Sequence, residues 1–162
     1  MLFRNIFQSV ALNSIDARLL DLLQRDCSQS LAELGSRVGL SISAVNERLR
    51  KLRARGHVRA YVALVDPQSL GYATCAFVLV AIESKKNEKT FVEAIVKIPE
   101  VEECHHVSGE FPYLLKVWAP DIQELERLDD KLKELGGVVR TQVLVVLSSP
   151  KDHVTGLVAR TR

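Results

Sequence analysis

The sequence predicts an α+β protein in which an N-terminal winged helix-turn-helix precedes a ferredoxin-like βαββαβ domain. Three helical patterns come first, and alternating strand and helix patterns fill most of the remaining chain. The charge also changes: residues 1–65 hold ten Lys and Arg against five Asp and Glu, a net +5, and residues 66–162 hold twelve against fifteen, a net −3. A basic part joined to an acidic part indicates two domains, the first of which meets a polyanion.

Composition excludes several classes of protein. With 47% hydrophobic and 26% charged residues, the 162-residue chain has the composition of an ordinary folded protein rather than a disordered or collagen-like one. Its apolar runs are too short for a membrane span, and its N-terminal segment lacks the apolar core of a secretory signal. We expect a cytoplasmic protein that does not act in a membrane.

The three cysteines are an odd number without a CxxC spacing. They are Cys27, Cys75 and Cys104. This pattern argues against a disulfide framework and against a thiolate zinc site. We expect reduced, mostly buried thiols, with neither a metal nor another cofactor.

Three amphipathic helices are predicted in the first part of the chain. The first follows Asn13 and Ser14, the second follows Ser28 or Ser30 and ends at Gly39, and the third follows Ser41. Their apolar stripes are formed by Ile15, Leu19, Leu22 and Leu23; by Leu31, Leu34 and Val38; and by Val45, Leu49 and Leu52. A short helix, a glycine turn and a longer helix are the outline of a helix-turn-helix.

The third helix is predicted to carry a DNA-reading face opposite its apolar stripe. Asn suits adenine, Arg suits guanine edges and phosphates, and Glu accepts from cytosine. Residues 41–60 hold six cations against one carboxylate, a net +5. The stripe alone is also compatible with a solvated helix surface, because arginine is a good helix former. The candidate DNA-binding residues are Ser41, Ser43, Asn46, Glu47, Arg48, Arg50, Lys51, Arg55 and Arg59.

A strand is predicted directly after this helix. Residues 57–65 alternate and are rich in valine, which favours a strand. Such a strand would form a wing beside the helices. We therefore expect a winged helix-turn-helix over residues 1–65 and, because Asp66, Pro67 and Gly71 favour turns, a hinge over residues 66–72.

The second domain, over residues 73–162, is predicted to have the order βαββαβ. Strands are expected at 75–82, 101–108, 113–119 and 138–147, with helices at 89–98 and from Asp121 to Leu135. In such a fold both helices cover one face of the sheet. The other, apolar face is left bare, and homodimerisation is the simplest way to cover it.

The chain resembles the Lrp/AsnC family of feast/famine transcriptional regulators from about Leu12 to Lys151. Several local motifs carry the resemblance. They are IDARLL at 15–20, VGLS at 38–41, RLRKL at 48–52, GHV at 56–58, DP at 66–67, LGY at 70–72, PEV at 99–101, VSG at 107–109 and YLLKV at 113–117. The resemblance implies a DNA-binding regulator that is dimeric through its C-terminal sheets and often assembles into tetramers or octamers.

The resemblance also implies that a small amino acid binds between dimers near residues 108–113, here called the effector loop. The candidate effector-binding residues are Ser108, Gly109, Glu110, Pro112, Tyr113 and Val143. Two of them depart from the family pattern: Pro112 stands where Asp is common, and Val143 where Thr is common. Because Pro112 offers neither a carboxylate nor an N–H group, Glu110 is the candidate that would balance the ammonium group of a ligand.

Two alternative functions remain open from the sequence. Lrp-like domains also occur in enzymes such as haem-pathway decarboxylases, and His105-His106 suggests that reading. Adjacent strand residues face opposite sides of a sheet, however, so the two histidines would not share a site. The other alternative is an architectural protein that binds DNA without a ligand and with little sequence preference, which would use the same residues.

Overall fold

The structure is a computed structural model that describes residues 12–151. Over these residues the chain forms two compact units, and the boundary between them in the sequence falls between Ala63 and Leu64. The first unit contains α1 (Ser14–Arg25), α2 (Leu31–Val38) and α3 (Ile42–Ala54). After a short 3-10 helix (Pro67–Leu70), the second contains β1 (Thr74–Ile82), α4 (Lys85–Ile95), β2 (Val101–His106), β3 (Tyr113–Ala119), α5 (Ile122–Lys133) and β4 (Val138–Val145).

Each helix of the first unit starts at a side chain that caps it. Asn13 Oδ1 accepts from the Asp16 N–H at 2.8 Å, and Ser30 forms a capping box with Glu33. Helix α2 ends at Gly39, whose φ of 70° is left-handed and favours glycine. The three predicted apolar stripes meet in one core, whose buried members are Leu19, Leu22, Leu34, Val45, Leu49 and Leu52.

The predicted wing strand is absent, so that expectation was wrong. Residues 59–66 carry no strand or helix, and Tyr61, Val62, Leu64 and Val65 are exposed. The alternating pattern describes side chains that suit a strand, but a strand also needs a neighbouring backbone to pair with. Within the described chain, no segment pairs with these residues.

The second unit has the predicted βαββαβ order. Its four strands form one antiparallel sheet in the order β2-β3-β1-β4. Alternate residues of the central strands β1 and β3 are buried, as expected for a sheet with one covered face. They pack with the apolar stripes of α4 and α5, and the largest fully buried side chains of this core are Phe91, Ile95, Leu115 and Leu132.

Several element boundaries differ from the predicted ones. Helix α4 begins at Lys85 rather than at residue 89. The residue before it, Ser84, forms no capping hydrogen bond with its side chain, so the sequence carried no clear signal for this start. It ends at Ile95, since the next residues tighten into turns. Strand β2 ends at His106 because the Val107 N–H turns to donate to the Pro112 carbonyl at 2.9 Å. Strand β4 ends at Val145 rather than residue 147, and α5 at Lys133 rather than Leu135.

The sheet face opposite the helices is partly apolar and open in the single chain. Phe77 on β1 is 36% exposed and Leu144 on β4 is 46% exposed. Leu79 and Leu114 are half-buried on the same face. This open face is the surface for which the sequence predicts a partner.

The cysteines do not match the expectation of mostly buried thiols. Cys27 is exposed, and Cys75 and Cys104 are only half-buried. All three are free of disulfide bonds. Among residues 12–151, no helix is both long and apolar enough to cross a membrane.

Candidate nucleic-acid interface and effector loop

Helix α3 presents its polar face to solvent. Ser41 Oγ caps the helix by accepting from the Ala44 N–H at 3.3 Å, and Ser41 and Ser43 share a hydroxyl hydrogen bond. The predicted reading residues Asn46, Arg50 and Lys51 are exposed. Since Val45, Leu49 and Leu52 are buried on the opposite side, the core fixes which face α3 turns outward.

Glu47 joins the two cations beside it. Arg50 donates two hydrogen bonds to its carboxylate at 2.8 and 2.9 Å, and Lys51 Nζ lies 3.4 Å from the same group. The hydrogen bonds from Arg50 are the main reason that the pKa of Glu47 falls to about 2. The same pair raises the pKa of Arg50. In the free protein, three of the predicted DNA-binding side chains are therefore paired with one another.

Arg48 is positioned differently from the other candidates. Its side chain is two-thirds buried, and its guanidinium donates to Asp16 Oδ1 at 2.8 Å, which links α3 to α1. Asp16 is itself 92% buried, and its other carboxylate oxygen accepts from Asn13. The charge of Arg48 is thus committed inside the unit rather than offered to a partner.

A groove beside the predicted DNA-reading face contains two side chains that the sequence did not single out as DNA contacts. It has a volume of about 450 Å³ and is lined by Asn46 and Arg50 together with Arg53 and Tyr61. The Arg53 guanidinium lies 5.7 Å from the centre of the Tyr61 ring. Arg53 follows Arg50 by three residues, so helical spacing alone would have placed the two side chains next to each other on the surface of α3. The position of Tyr61 depends on the course of the chain after α3.

Two predicted cations lie beyond the end of α3. Arg55 is the residue at which the helix ends, and its N–H donates to the Lys51 carbonyl at 2.9 Å. Arg59 follows in the segment without regular structure. Both are exposed, so the positive charge extends past the helix rather than along one face only.

The effector loop is a tight turn between β2 and β3. Gly109 has a φ of 127°, which only glycine adopts readily, and the Val107 N–H closes the turn by donating to Pro112. Ser108 and Gly109 are exposed, and Pro112 is half-buried. The candidate Glu110 forms an ion pair with Arg140 on β4, and the Arg140 guanidinium also lies 4.6 Å from the centre of the Phe111 ring.

The remaining effector candidates belong to the core on the helix-covered side. Tyr113 is buried with its ring 4.9 Å from that of Phe91, and burial raises the pKa of its phenol. Val143, on the edge strand β4, is half-buried and pairs with Val78 of β1. The β4 residue in register with Tyr113 is instead Thr141, since both pair with Val80. Thr141 Oγ1 is buried without a hydrogen-bond partner among the described residues.

The two adjacent histidines do not form a common site. His105 Nε2 lies 2.7 Å from a carboxylate oxygen of Glu103, whereas the His106 ring lies 5.2 Å from that of Tyr113. Within residues 12–151, no group of three His, Cys, Asp or Glu side chains is placed to hold a metal ion.

The helical unit and the sheet unit match two domains that occur together in one family of regulators. Residues 12–53 match the AsnC-type helix-turn-helix domain, and residues 75–155 match the Lrp/AsnC ligand binding domain. The chain belongs to the Lrp/AsnC family. It is a transcriptional regulator of the Lrp/AsnC type. The proteins similar to it are regulators rather than enzymes.

The similar proteins cover nearly the whole chain. The leucine-responsive regulatory protein of Escherichia coli strain K12 is 37% identical over 154 residues, 93% of each chain. The proline dehydrogenase transcriptional activator of Rhizobium radiobacter is 37% identical over 87% of this chain and 92% of its own. The HTH-type transcriptional regulator FL11 of Pyrococcus horikoshii is 32% identical over 88% of this chain and 94% of its own.

Solved structures of similar proteins share the fold. A transcriptional regulator from Neisseria meningitidis in complex with L-methionine superimposes with a TM-score of 0.86, at 32% identity, over 90% of this chain and 96% of its own. A feast or famine regulatory protein from M. tuberculosis, also complexed with L-methionine, superimposes with a TM-score of 0.85, at 32% identity, over 92% and 100%.

Proposed function

We propose that this regulator binds double-stranded DNA by placing α3 in the major groove. The observation that carries the proposal is the exposed row of Asn46, Arg50 and Lys51 on a helix whose other face is held in the core. An α-helix fits the major groove, where Asn and Arg side chains distinguish base pairs. Ser41 and Ser43 lie at the N-terminus of α3, where exposed N–H groups favour a phosphate.

We also propose that the working unit is a homodimer joined through the open sheet faces. Phe77 and Leu144 are exposed there in the single chain, and an apolar face of this kind favours a partner. A two-fold dimer would recognise a roughly palindromic site with half-sites about one helical turn, or multiples of it, apart. Sedimentation velocity tests this: Phe77→Glu should give monomers, whereas Val96→Glu, an equally apolar exposed position on the helix side, should leave the dimer intact.

We further propose that a small amino acid regulates the protein at the effector loop. The methionine complexes of two similar proteins support a ligand of this class. Glu110 offers the negative charge for an ammonium group, but Arg140 already pairs with it. An effector would therefore have to displace an exposed ion pair, which is a weak competitor. Pro112 and Val143, which lack the polar groups common at their positions in the family, favour the alternative of a regulator that needs no ligand.

Fluorescence anisotropy tests the DNA-binding proposal and the effector proposal together. The protein is titrated into DNA from upstream of its own gene and into scrambled DNA, at two salt concentrations, with and without a mixture of the twenty amino acids. Specific, salt-sensitive binding that the mixture alters supports an effector-responsive regulator, and splitting the mixture names the ligand. Specific binding that the amino-acid mixture does not change refutes the effector proposal only. Equal binding to both DNAs refutes sequence-specific recognition and favours the architectural alternative.

A further inference from the structure

A second cavity lies at the end of the sheet opposite the effector loop. It has a volume of about 270 Å³ and is found between α5 and the place where β2 begins and β3 ends. Strand β3 separates the two sites: at roughly 3.3 Å per residue, Tyr113–Ala119 spans about 20 Å. We call this cavity the α5 groove.

Glu100 gives the α5 groove a carboxylate without a partner. Its Oε2 atom is buried and accepts no hydrogen bond, and no described residue forms an ion pair with this side chain. Nearly all buried polar atoms in folded proteins have a hydrogen-bond partner. Because Oε2 is closed to solvent, a donor from a ligand in the groove reaches this carboxylate at its other oxygen, Oε1, and meets a charge that no described residue compensates.

Helix α5 supplies the opposite charge. Glu124, Arg127 and Lys131 recur at helical spacing and line the groove as one stripe. Arg127 pairs with Glu124, whereas the Lys131 ammonium has no ion pair with any residue that the structure describes. The groove thus combines an unpaired anion with an unpaired cation. Leu128 and Tyr72 add an apolar lining.

We propose that the α5 groove binds a small zwitterion, an α-amino acid with an aliphatic side chain. Its ammonium group donates to Glu100, its carboxylate accepts from Lys131 and Arg127, and its side chain contacts Leu128 and Tyr72. Both polar contacts are charge-assisted hydrogen bonds, which are stronger than neutral ones. The volume equals the liquid share of roughly nine water molecules, so it suits a single amino acid better than a drug-sized ligand. This site is additional to the effector loop.

Hydrogen–deuterium exchange of the full chain separates the two sites. L-alanine, L-valine, L-leucine and L-methionine are each added at millimolar concentration, and protection is followed in peptides covering residues 96–104, 106–114 and 119–131. We expect at least one amino acid to protect 96–104 and 119–131. The matching analogues, 4-methylpentanoate without the ammonium and 3-methylbutylamine without the carboxylate, should not. Protection of 106–114 alone would overturn the groove proposal and leave the effector proposal intact, and no protection by any of the four would also overturn the groove.

Site-directed variants test the assigned roles. Glu100→Gln removes the charge without removing any internal contact, so the protein should fold with an unchanged or higher Tm. The amino-acid concentration that half-protects peptide 119–131 should rise at least about tenfold, the loss expected for a charged hydrogen bond. Lys131→Gln should behave similarly, and Glu126→Gln, an exposed glutamate of α5 outside the groove, should match the wild type. Unchanged half-protection in Glu100→Gln would refute the assignment.

Discussion

Arg48 and Asp16 form an ion pair at 2.8 Å that joins α3 to α1 across 32 residues of sequence. Asp16 is also the residue whose N–H is capped by Asn13. The pair therefore connects the start of the first helix to the middle of the third. It fixes the angle at which α3 presents Asn46 and Arg50, although neither member of the pair faces outward.

Arg48→Met should destabilise the protein rather than remove a DNA contact. The change keeps the aliphatic stem but leaves a buried carboxylate without its cation, so the free energy of unfolding should fall by about 1–3 kcal/mol. Arg50→Met removes an exposed arginine and should change it by less than about 0.5 kcal/mol. Urea unfolding at fixed protein concentration measures both values. A stable Arg48→Met protein whose DNA binding has lost about one unit of salt slope would mean that Arg48 contacts phosphate instead.

Glu47→Gln should raise the affinity for DNA of any sequence. Its carboxylate holds Arg50 and Lys51 in the free protein, and removing one negative charge near the phosphates should raise the affinity roughly fivefold at low salt. The matched control is Asp21→Asn, which also frees two cations, Arg18 and Arg25, but on α1. Anisotropy with scrambled DNA compares the variants. Equal gains in both would show that net charge alone acts, with no role for the position of Glu47.

The pKa of Glu47 sets the pH range in which this pairing holds. Because the hydrogen bonds from Arg50 lower the pKa from 4.5 to about 2, the pair stabilises the folded protein fully above pH 4.5, and the contribution is lost as the pH falls towards 2. Between pH 6 and 8 the charge of Glu47 is constant. A change in DNA affinity over that range must therefore come from other groups.

The helices and strands could be predicted from the sequence because the residues that start and end them lie within a few positions of one another. The caps at Asn13, Ser30 and Asp121 and the stop at Gly39 are readable as residue types, and the structure confirms their hydrogen bonds or conformations. The wing failed because strand propensity does not supply a pairing partner. The Arg48–Asp16 pair could not be read from spacing, since it depends on how two helices cross.

The relative positions of the candidate site residues could be predicted where the residues lie on one element, and not where they come from several elements. On α3, one helix carries the row of side chains, so its period predicted the exposure of Asn46, Arg50 and Lys51, which are exposed in the structure, but not the inward pairing of Arg48. The effector residues come from a turn and two strands, and their relation depends on register. Val143 was chosen by resemblance, yet Thr141 is the β4 residue level with Tyr113. Arg140 is 30 residues from Glu110 in sequence, and no local pattern links them.

The side chains of α3 should divide into those that read bases and those that bind phosphate. Asn46→Ala or Arg50→Ala should reduce the preference for the specific DNA by about 1–3 kcal/mol, because each loses contacts to base edges. Lys51→Ala or Arg55→Ala should weaken binding to specific and scrambled DNA alike and lower the salt slope by about one. Anisotropy at several salt concentrations measures both quantities. If all four variants changed the preference equally, the assignment of this face would be wrong.

Gly137→Ala should strongly destabilise the sheet unit. Gly137 has a φ of 90°, and a Cβ there would lie 2.4 Å from the Cβ of Asn87 at the start of α4. The left-handed conformation costs an alanine roughly 1–2 kcal/mol and the collision about 1–3 more, so we expect a loss of about 2–5 kcal/mol in the free energy of unfolding.

Gly136→Ala is the matched control, one residue earlier in the same turn. An added Cβ at Gly136 meets no atom within 4 Å, and its backbone is not left-handed. Alanine there should stabilise the protein by up to about 1 kcal/mol, because it restricts the unfolded chain without straining the folded one. Urea unfolding of both variants at one protein concentration makes the comparison, since oligomer formation contributes to stability. If Gly137→Ala were as stable as Gly136→Ala, α4 and the turn before β4 could not pack as closely as the structure places them.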